Sequence, residues 1–253
     1  MTTTSQAQRE HHGFEAVRTI IEALLIALVI RTFLFQPFDI PSGSMEPTLR
    51  IGDYLFVSKY SYGYSRYSFP LSLPVFGGRI FGSQPRRGDV VVFRHGSVDF
   101  IKRVIGLPGD RIQMINGALY LNGKEVERQR VADFAGHNPC GLVAQASPAV
   151  DVPQWRETLP NGVSYDTLRC RTFAGFPDFT QVYTVPPGHF FMMGDNRENS
   201  EDSRFPDVGY VPFVDLIGRA QLIFFSMAPE WSAWEPWKWP SSIRWARLFT
   251  AVR

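Results

Sequence analysis

The chain has 253 residues, which is enough for one large domain or two modest ones. Its net charge is only +2, from 26 basic and 24 acidic side chains without a concentrated basic stripe, so a nucleic-acid-binding protein is not indicated. Hydrophobic residues make up 44 %, as in ordinary globular proteins, while 21 glycines and 19 prolines favour strands and turns over long helices.

The first segment with a clear pattern is an apolar run near the N-terminus. Residues 17–35 would form a helix roughly 28 Å long, which matches the hydrocarbon core of a bilayer. Charged residues interrupt the run: Arg18 and Glu22 are spaced to pair on one helix face, and Arg31 can extend toward the lipid headgroups. Because no small-x-small cleavage pattern follows, we predict an uncleaved membrane anchor; a buried amphipathic helix of a soluble domain is the alternative.

After the apolar run the pattern changes to short strands separated by turns. The pairs Asn116-Gly117 and Asn122-Gly123 predict tight hairpin turns within residues 111–126. Residues 127–180 lose the strand pattern and become polar, so we interpret them as an inserted cap subdomain. Further β-rich runs are predicted at residues 53–57, 88–93, 98–105, 182–185, 190–193 and 220–227.

Two aromatic-rich segments are candidates for contact with a membrane surface. Residues 60–84 have the composition of a long surface loop, and they lie close in sequence to the apolar run. Trp231–Trp239 contains four tryptophans and precedes a basic amphipathic stretch at residues 243–249. Burial of these aromatic side chains in the protein core is the alternative.

A stiff segment with two serines follows the apolar run directly. Pro41 and Pro47 each remove a backbone donor, so the segment between them cannot be a helix interior. Gly43 lies between Ser42 and Ser44 and allows a sharp turn or a close approach of the backbone to a ligand. Taken alone, the segment is also explained as a polar linker between a helix and a domain.

One lysine lies in an unusual place, within an apolar strand. Alternation along residues 99–105 puts Lys102 on the same face as Phe100 and Val104, and the opposite face is also largely apolar. Burial lowers the pKa of a lysine amine, and an amine that is neutral at working pH can act as a general base. The alternative is that Lys102 reaches the surface or pairs with Asp99.

Other residues with catalytic or metal-binding potential fit less well. His95 and His189 are the remaining partners for a Ser/His/Asp triad, but no G-x-S-x-G pattern accompanies them. The charged segment 194–204 does not have the spacing of a calcium loop, and a solvated turn is its simplest explanation. Cys140 and Cys170 are the only cysteines and do not suggest a zinc site; a disulfide and two unrelated buried thiols both remain open.

Five sequence blocks, found together and in order, resemble the bacterial type I signal peptidase family, the membrane-anchored leader peptidases. The blocks are residues 41–49, 52–57, 87–93, 101–110 and 194–204. The single apolar segment is similar to that of family members with one N-terminal span. The resemblance implies a mainly β fold: an antiparallel β-sheet catalytic core, residues 127–180 as an inserted cap, and one N-terminal transmembrane helix.

The resemblance also implies a Ser/Lys dyad. Ser44 would be the nucleophile, and Lys102 would be the neutral general base that later returns the proton to the leaving amine. The backbone N–H of Ser44 and the hydroxyl of Ser42 would form the oxyanion hole, and Ser200 would orient the Lys102 amine. Charged side chains that would hold the site together are Arg103, Asp195, Asp202 and Arg204.

The substrates implied are preproteins whose signal peptides carry small residues at the −1 and −3 positions. The signal peptide would enter as an extended strand between the edges formed by residues 40–42 and 99–101. Side chains expected to line shallow apolar pockets for it are Phe38, Ile40, Pro41, Met45, Leu49, Phe100 and Ile101. The resemblance implies no metal and no cofactor.

Family topology further implies a location in the inner (plasma) membrane. Residues 1–15 would be a cytoplasmic tail, residues 16–36 the transmembrane anchor, and residues 37–253 a catalytic domain on the periplasmic or outer face. In that compartment a disulfide between Cys140 and Cys170 is favoured. The expected partners are preprotein substrates and membrane lipid, with the Sec or Tat export machinery as a neighbour by function only.

Two rival hypotheses share some of these features. A self-cleaving repressor would use the same Ser/Lys chemistry, but the apolar anchor and the lack of an N-terminal helix-turn-helix pattern speak against it. A non-catalytic, membrane-tethered β-domain that binds extracytoplasmic partners would keep the fold and the anchor. It would have no use for a lysine in an apolar strand.

Overall fold

The fold is known from a computed structural model that describes residues 3–69, 72, 77–135, 139–140, 151–170, 176–228, 234, 237 and 239–253, with the backbone alone for residues 3–14. The described residues form antiparallel sheets of eight, three and four strands, which confirms the predicted mainly β fold. The elements are α1 (Thr3–Phe33), β1 (Phe35–Asp39), β2 (Asp53–Ser58), β3 (Val90–His95), β4 (Val98–Gly106), β5 (Arg111–Ile115), β6 (Ala118–Leu121), β7 (Lys124–Glu125), β8 (Glu127–Arg130), β9 (Gln154–Thr158), β10 (Ser164–Leu168), β11 (Tyr183–Thr184), β12 (His189–Met193), β13 (Val211–Pro212), β14 (Leu216–Ser226), α2 (Trp239–Ser242) and β15 (Thr250–Ala251).

The eight-stranded sheet is the frame of the protein. Its strand order is β1-β2-β14-β3-β4-β12-β13, with β15 against β14. Strand β3 is buried on both faces, as its run of valines predicts: Val90 and Val92 contact one core cluster, and Val91 and Phe93 contact another. Strand β4, which carries Lys102, pairs with β3 along its outer half and is therefore held against the same core.

Both Asn-Gly pairs form hairpin turns at the predicted positions. Strand β5 pairs with β6, and β6 pairs with β7. The φ angles are 48° at Asn116 and 67° at Gly117, and 54° at Asn122 and 81° at Gly123. Positive φ at both central residues is what a two-residue type I′ turn requires, and Asn and Gly adopt it at low cost.

The predicted cap contains a small sheet of its own, in the order β10-β9-β8. A disulfide joins Cys140 to Cys170 with their Cα atoms 5.3 Å apart, which decides between the two alternatives for these thiols. The end of β10 is attached to the segment that follows β12: Leu168 donates to the Asp195 carbonyl at 2.9 Å and accepts from the Arg197 N–H at 3.1 Å. Within the predicted cap, residues 136–138, 141–150 and 171–175 lie outside the described residues.

The N-terminal helix begins and ends earlier than the predicted anchor. It begins at Thr3, within the predicted tail, and ends at Phe33 instead of residue 36, because Phe35–Asp39 pairs with β2 as an edge strand. Pro37 explains this boundary, since it disfavours helical backbone at the preceding residue and is tolerated at a sheet edge. Apolar side chains of α1 between Val17 and Phe33 are exposed. Among the described residues, no helix combines the length and the apolar character needed to cross a bilayer.

The two aromatic-rich segments differ in burial. Residues 60–69 are partly packed into the protein, and Tyr62 is buried with its hydroxyl donating to Asp89 at 2.9 Å, so this part is not the surface loop predicted. In the tail, Trp234, Trp237 and Trp239 are 88 %, 72 % and 40 % exposed, so core burial does not apply to them. Residues 70–71, 73–76, 231–233, 235, 236 and 238 lie outside the described residues.

A buried ion pair connects the predicted cap to the segment that follows β12. Glu157 of β9 accepts hydrogen bonds from Arg197 and, at 2.9 Å, from the Tyr165 hydroxyl. Both charged side chains are almost fully buried. The pKa of Arg197 moves above its ordinary value, because burial, which lowers it, is outweighed by the carboxylate of Glu157. Removing the carboxylate would leave a buried guanidinium without its counter-charge.

We predict that Glu157→Gln lowers the free energy of unfolding by about 3–5 kcal/mol, because Arg197 then stays buried without a compensating charge. Urea unfolding of the full chain in detergent, followed by tryptophan fluorescence, measures the change. Glu127→Gln on the exposed strand β8 is the matched control, with an expected change within about 0.5 kcal/mol. A loss below about 1 kcal/mol for Glu157→Gln would contradict the account of this pair.

Candidate active site

The turn that carries Ser44 is held in place by a distant asparagine. After β1 the chain is extended through Ser42 and then forms a 3-10 turn over Gly43–Met45. The Asn196 backbone N–H donates to the Ser44 carbonyl at 3.1 Å, and its side-chain amide donates to the Gly43 carbonyl at 3.1 Å. These bonds satisfy two backbone acceptors of the turn and fix the direction in which the Ser44 hydroxyl points.

Lys102 reaches this hydroxyl from the neighbouring strand. Its Nζ lies 2.7 Å from Ser44 Oγ, although 58 residues separate the two in sequence. Lys102 is 4 % exposed and Ser44 is 7 % exposed, so bulk water has little access to the pair. Burial is the main reason that the pKa of Lys102 falls to about 8; the carboxylates of Asp202 and Asp195 oppose this shift.

A buried ion pair between Asp202 and Arg204 lies close enough to Lys102 to affect its pKa. Asp202 accepts from Arg204 Nε at 2.8 Å, from the Gly194 N–H at 2.9 Å and from Ser200 Oγ at 2.8 Å. Burial alone would raise the pKa of Asp202, but the charge and hydrogen bonds of Arg204 outweigh it and lower the pKa. Asp202 is therefore ionised, and the positive charge of Arg204 offsets part of the field of Asp202, which would otherwise favour a charged Lys102.

Ser200 is placed differently from its predicted role. Its hydroxyl donates to Asp202, and the hydrogen bond of the Lys102 amine within the described residues goes to Ser44. Ser200 still lines the same cavity as both residues of the pair. The Asp202 carboxylate attracts the hydroxyl because it is a stronger acceptor than an amine that is already bonded to Ser44.

Arg103 and Asp195 form a fully buried bidentate pair on the opposite face of β4. Arg103 Nε lies 2.8 Å from Asp195 Oδ1, and Nη2 lies 2.6 Å from Oδ2. Thr48 also donates to Asp195, at 2.6 Å. Arg103 follows Lys102 in β4, and Asp195 precedes Asn196, which bonds to the Ser44 turn. The ion pair therefore holds strand β4 and the segment after β12 together.

An open cavity of about 620 Å³ leads to the pair. Residues 98–102 of β4 pair with β3 on one side, while β12 pairs with β4 only from Arg103 onward. No strand of the described residues pairs with the other edge of residues 98–102, so that edge is free within this part of the chain. Residues 39–42 line the same cavity. The last of them, Ser42, has its Oγ 3.5 Å from Ser44 Oγ. The free strand edge and the extended segment before Ser44 leave room for a peptide strand between them.

Most of the predicted pocket residues line this cavity, and two do not. Phe38, Ile40, Pro41, Phe100 and Ile101 line it. Met45 and Leu49 were predicted to line the pocket but are completely buried in one of the core clusters. The 3-10 turn over Gly43–Met45 directs Met45 into this core. Lining residues that the sequence analysis did not single out are Asp39, Val92, Val98, Glu198, Asn199, Glu201 and Phe205.

Asn196 and Thr48 contribute to the site but were not predicted from the sequence. A Ser/His/Asp triad with His95 or His189 is not supported by the described residues around the cavity. Asn196 lies within the charged segment 194–204, so its place in a matching block was the available signal. Nothing in the sequence near Thr48 pointed to Asp195, 147 residues away. The described residues that line the cavity include no histidine.

Comparisons with known proteins identify the family of the chain. A family model described as signal peptidase, peptidase S26, matches residues 13–225. The signal peptidase I of Rickettsia typhi is 43 % identical over 218 residues, which is 82 % of this chain and 78 % of the relative. That of Rickettsia conorii is 41 % identical over 239 residues, or 90 % of this chain and 84 % of the relative.

Among solved structures, a signal peptidase I from Enterococcus faecalis is 24 % identical and overlaps 54 % of this chain and 97 % of its own, with a TM-score of 0.32. The family model spans most of the present chain, and the two Rickettsia relatives match it over most of their own lengths. The chain therefore belongs to the signal peptidase family, peptidase S26.

Proposed function

We propose that this protein is a signal peptidase I that removes N-terminal signal peptides from exported preproteins with a Ser/Lys dyad. The observation that carries the proposal is the distance of 2.7 Å between Lys102 Nζ and Ser44 Oγ, with both side chains buried. A serine hydroxyl needs an adjacent base to become a nucleophile. The lowered pKa of Lys102, about 8, gives a neutral amine at mildly alkaline pH.

In the proposed mechanism, the neutral Lys102 amine takes the Ser44 proton as Oγ attacks the carbonyl carbon of the scissile bond. The resulting ammonium returns this proton to the leaving amine, so that the peptide C–N bond breaks and an acyl-enzyme remains. Lys102, neutral again, then takes a proton from a water molecule as the water oxygen attacks the acyl carbon. The ammonium returns this proton to Ser44 Oγ as the ester C–O bond breaks, so the signal peptide leaves with a free carboxyl group and the dyad is restored.

The oxyanion of each tetrahedral intermediate would be bound by the Ser44 backbone N–H and the Ser42 hydroxyl. Ser42 Oγ lies 3.5 Å from Ser44 Oγ, so it can reach an oxygen bonded to the attacked carbon. Asn196 supports this arrangement because its bonds to the Ser44 and Gly43 carbonyls fix the orientation of the turn. Donors that are fixed before the reaction stabilise developing charge without reorganisation.

The signal peptide would bind as a strand on the free edge of β4 residues 98–102. Ile40 and Ile101 line the groove together with the dyad, and their apolar bulk would favour small side chains at the −1 and −3 positions. Met45 and Leu49, which were expected to contact substrate, would act from behind by filling the core under the Ser44 turn.

The helix α1 would attach the enzyme to the membrane, with residues 1–15 in the cytoplasm and the catalytic domain on the outer face. Its exposed apolar side chains support attachment to lipid. The Arg18–Glu22 pair, at 2.8 Å, offsets two of the charges in the apolar run. The Cys140–Cys170 disulfide supports an oxidising compartment for the domain.

We predict that Ser44→Ala and Lys102→Ala each reduce cleavage of a preprotein by at least about 10³-fold while the circular dichroism spectrum stays unchanged, because each removes one half of the proton transfer. Cleavage in detergent, with sequencing of the new N-terminus, measures the effect. Ser164→Ala on β10 and Lys124→Ala on β7 are matched controls with expected activities near wild type. Substantial cleavage by either dyad variant would refute the mechanism.

The pH dependence should follow the ionisation of Lys102. Since only the neutral amine accepts a proton, kcat/KM should rise about tenfold per pH unit below the pKa and level off above about 8. A profile measured from pH 5.5 to 10 at constant ionic strength tests this expectation. A flat profile across pH 6–9 is the outcome that the dyad does not allow.

For the oxyanion hole, we expect Ser42→Ala to lower kcat by about 10²-fold with little change in KM, because the lost hydrogen bond forms only in the transition state. Ser42→Thr, which restores a hydroxyl, should recover much of the activity. A loss of kcat/KM caused only by a higher KM would assign Ser42 to substrate binding. Unchanged kcat and KM would assign it no role.

A further inference from the structure

A second lysine is buried outside the catalytic site and lacks a carboxylate partner. Lys59 follows β2 and is 2 % exposed, less than the catalytic lysine. Its Nζ donates to the Ser68 carbonyl at 2.7 Å, and no carboxylate of the described residues lies within ion-pair distance. Buried lysines are normally compensated, because an unpaired charge in a low-dielectric interior is costly.

Lys59 lines a small, partly open cavity whose charged lining residues are mostly positive. The cavity, of about 140 Å³, is also lined by Arg31 at the end of α1 and by Arg94 of β3. Its one acidic lining residue is Asp99, which is already paired with Arg94 at 2.9 Å. The remaining polar lining groups are neutral: Gln36, Tyr67 and Ser72.

The segment that follows Lys59 in sequence cannot supply the missing negative charge. Residues 60–88, which include the part of this loop next to the cavity, contain no aspartate or glutamate. Burial and then the positive charge of Arg31 lower the pKa of Lys59 to about 8, and Asp99 opposes the shift only partly. The protein alone therefore leaves the three cations around this cavity under-compensated.

We propose that this cavity binds a phosphate group, carried either by a phospholipid headgroup or by free phosphate, through Arg31, Lys59 and Arg94. Guanidinium groups fit tetrahedral oxyanions with paired donors, and a lysine ammonium adds a compact point charge. The Tyr67 and Ser72 hydroxyls supply further neutral donors in the cavity wall. A cavity of this size accepts one such group and little more.

Its place in the fold favours the lipid as the source. Arg31 is in the last turn of α1, and Phe33 beside it packs against Tyr64 and Phe69 with ring centroids 5.7 and 6.3 Å apart. If α1 is held in the membrane, the cavity lies at the level of the headgroups. The choice of a lipid source thus rests on the proposed attachment of α1, whereas binding of the phosphate group does not.

The site also has a physical link to the substrate groove. Asp99 lines both this cavity and the cavity that leads to Ser44 and Lys102. A phosphate group would compete with Asp99 for Arg94 and would change the charge at the outer end of the groove. Lipid contact and substrate binding would then share one carboxylate.

The test is a titration of the full-length protein in dodecyl maltoside and phosphate-free buffer, followed by calorimetry. The two ligands are inorganic phosphate and dihexanoyl-phosphatidylglycerol below its micelle concentration, with sodium chloride at equal ionic strength as a blank. We expect saturable binding near one per chain for at least one ligand. Binding of the lipid alone identifies a headgroup site, binding of phosphate alone a free-anion site, and binding of both a site for the shared group.

Lys59→Met and Arg31→Gln should each weaken this binding by about tenfold or more, since each removes a charged donor. Lys124→Met, which removes an exposed lysine on β7, is the matched control and should bind like wild type. If Lys59→Met does not fold, Arg31→Gln at an exposed position carries the test. The proposal is overturned if neither ligand saturates, or if a folded Lys59→Met or Arg31→Gln binds like wild type. Preprotein cleavage, assayed separately, shows whether the proposed function stands on its own.

Discussion

The proposed chemistry depends on one lysine amine that is kept out of water beside one serine hydroxyl. Strand β4 carries Lys102 on the same face as Phe100 and Val104, which belong to one core cluster, and burial lowers the pKa of Lys102 to about 8. The surrounding charges are arranged so that they do not undo this effect, since Asp202 is matched by Arg204 and Asp195 by Arg103. A single unmatched carboxylate at either position would favour the ammonium and remove the base.

These ion pairs also connect parts of the chain that are far apart in sequence. Arg103 and Asp195 join β4 to the segment after β12, and Asn196 then joins that segment to the Ser44 turn. Arg197 continues the connection to Glu157 in the cap. The segment 194–204, which resembles a solvated turn in sequence, is therefore a largely buried structure that holds Ser44 and Lys102, the proposed nucleophile and base, in place. Its high charge density is satisfied internally, which is the condition for burying so many ionised groups.

Much of the fold could be predicted from local sequence, because the signals are themselves local. The Asn-Gly pairs determine their own turns, and the valines of β3 indicate a strand buried on both faces. Alternation along β4 placed Lys102 in an apolar setting, and the resemblance supplied its partner Ser44. The predicted end of the anchor helix differs from the end of α1 by three residues, because Phe35–Asp39 pairs with β2 as a strand instead of continuing the helix.

The remaining details depend on long-range packing that no local pattern encodes. Met45 follows Ser44 directly, yet the 3-10 turn sends it into the core while Ser44 faces the cavity. Ser200 lines the same cavity as Lys102, although the two residues are far apart in sequence. The cationic cavity around Lys59 likewise combines residues from α1, β3 and the chain after β2, so it appears only in three dimensions.

Direct titration of Lys102 tests the central claim most sharply. The chain has only four lysines, so the side-chain resonances of ¹³C-labelled lysine can be assigned with Lys59→Met, Lys124→Met and Lys238→Met variants and followed from pH 6 to 12. The account predicts that Lys102 titrates near pH 8, well below the ordinary value of 10.5. A midpoint for Lys102 at or above 10 would mean that the amine is charged at working pH, and the proposed dyad would have no base.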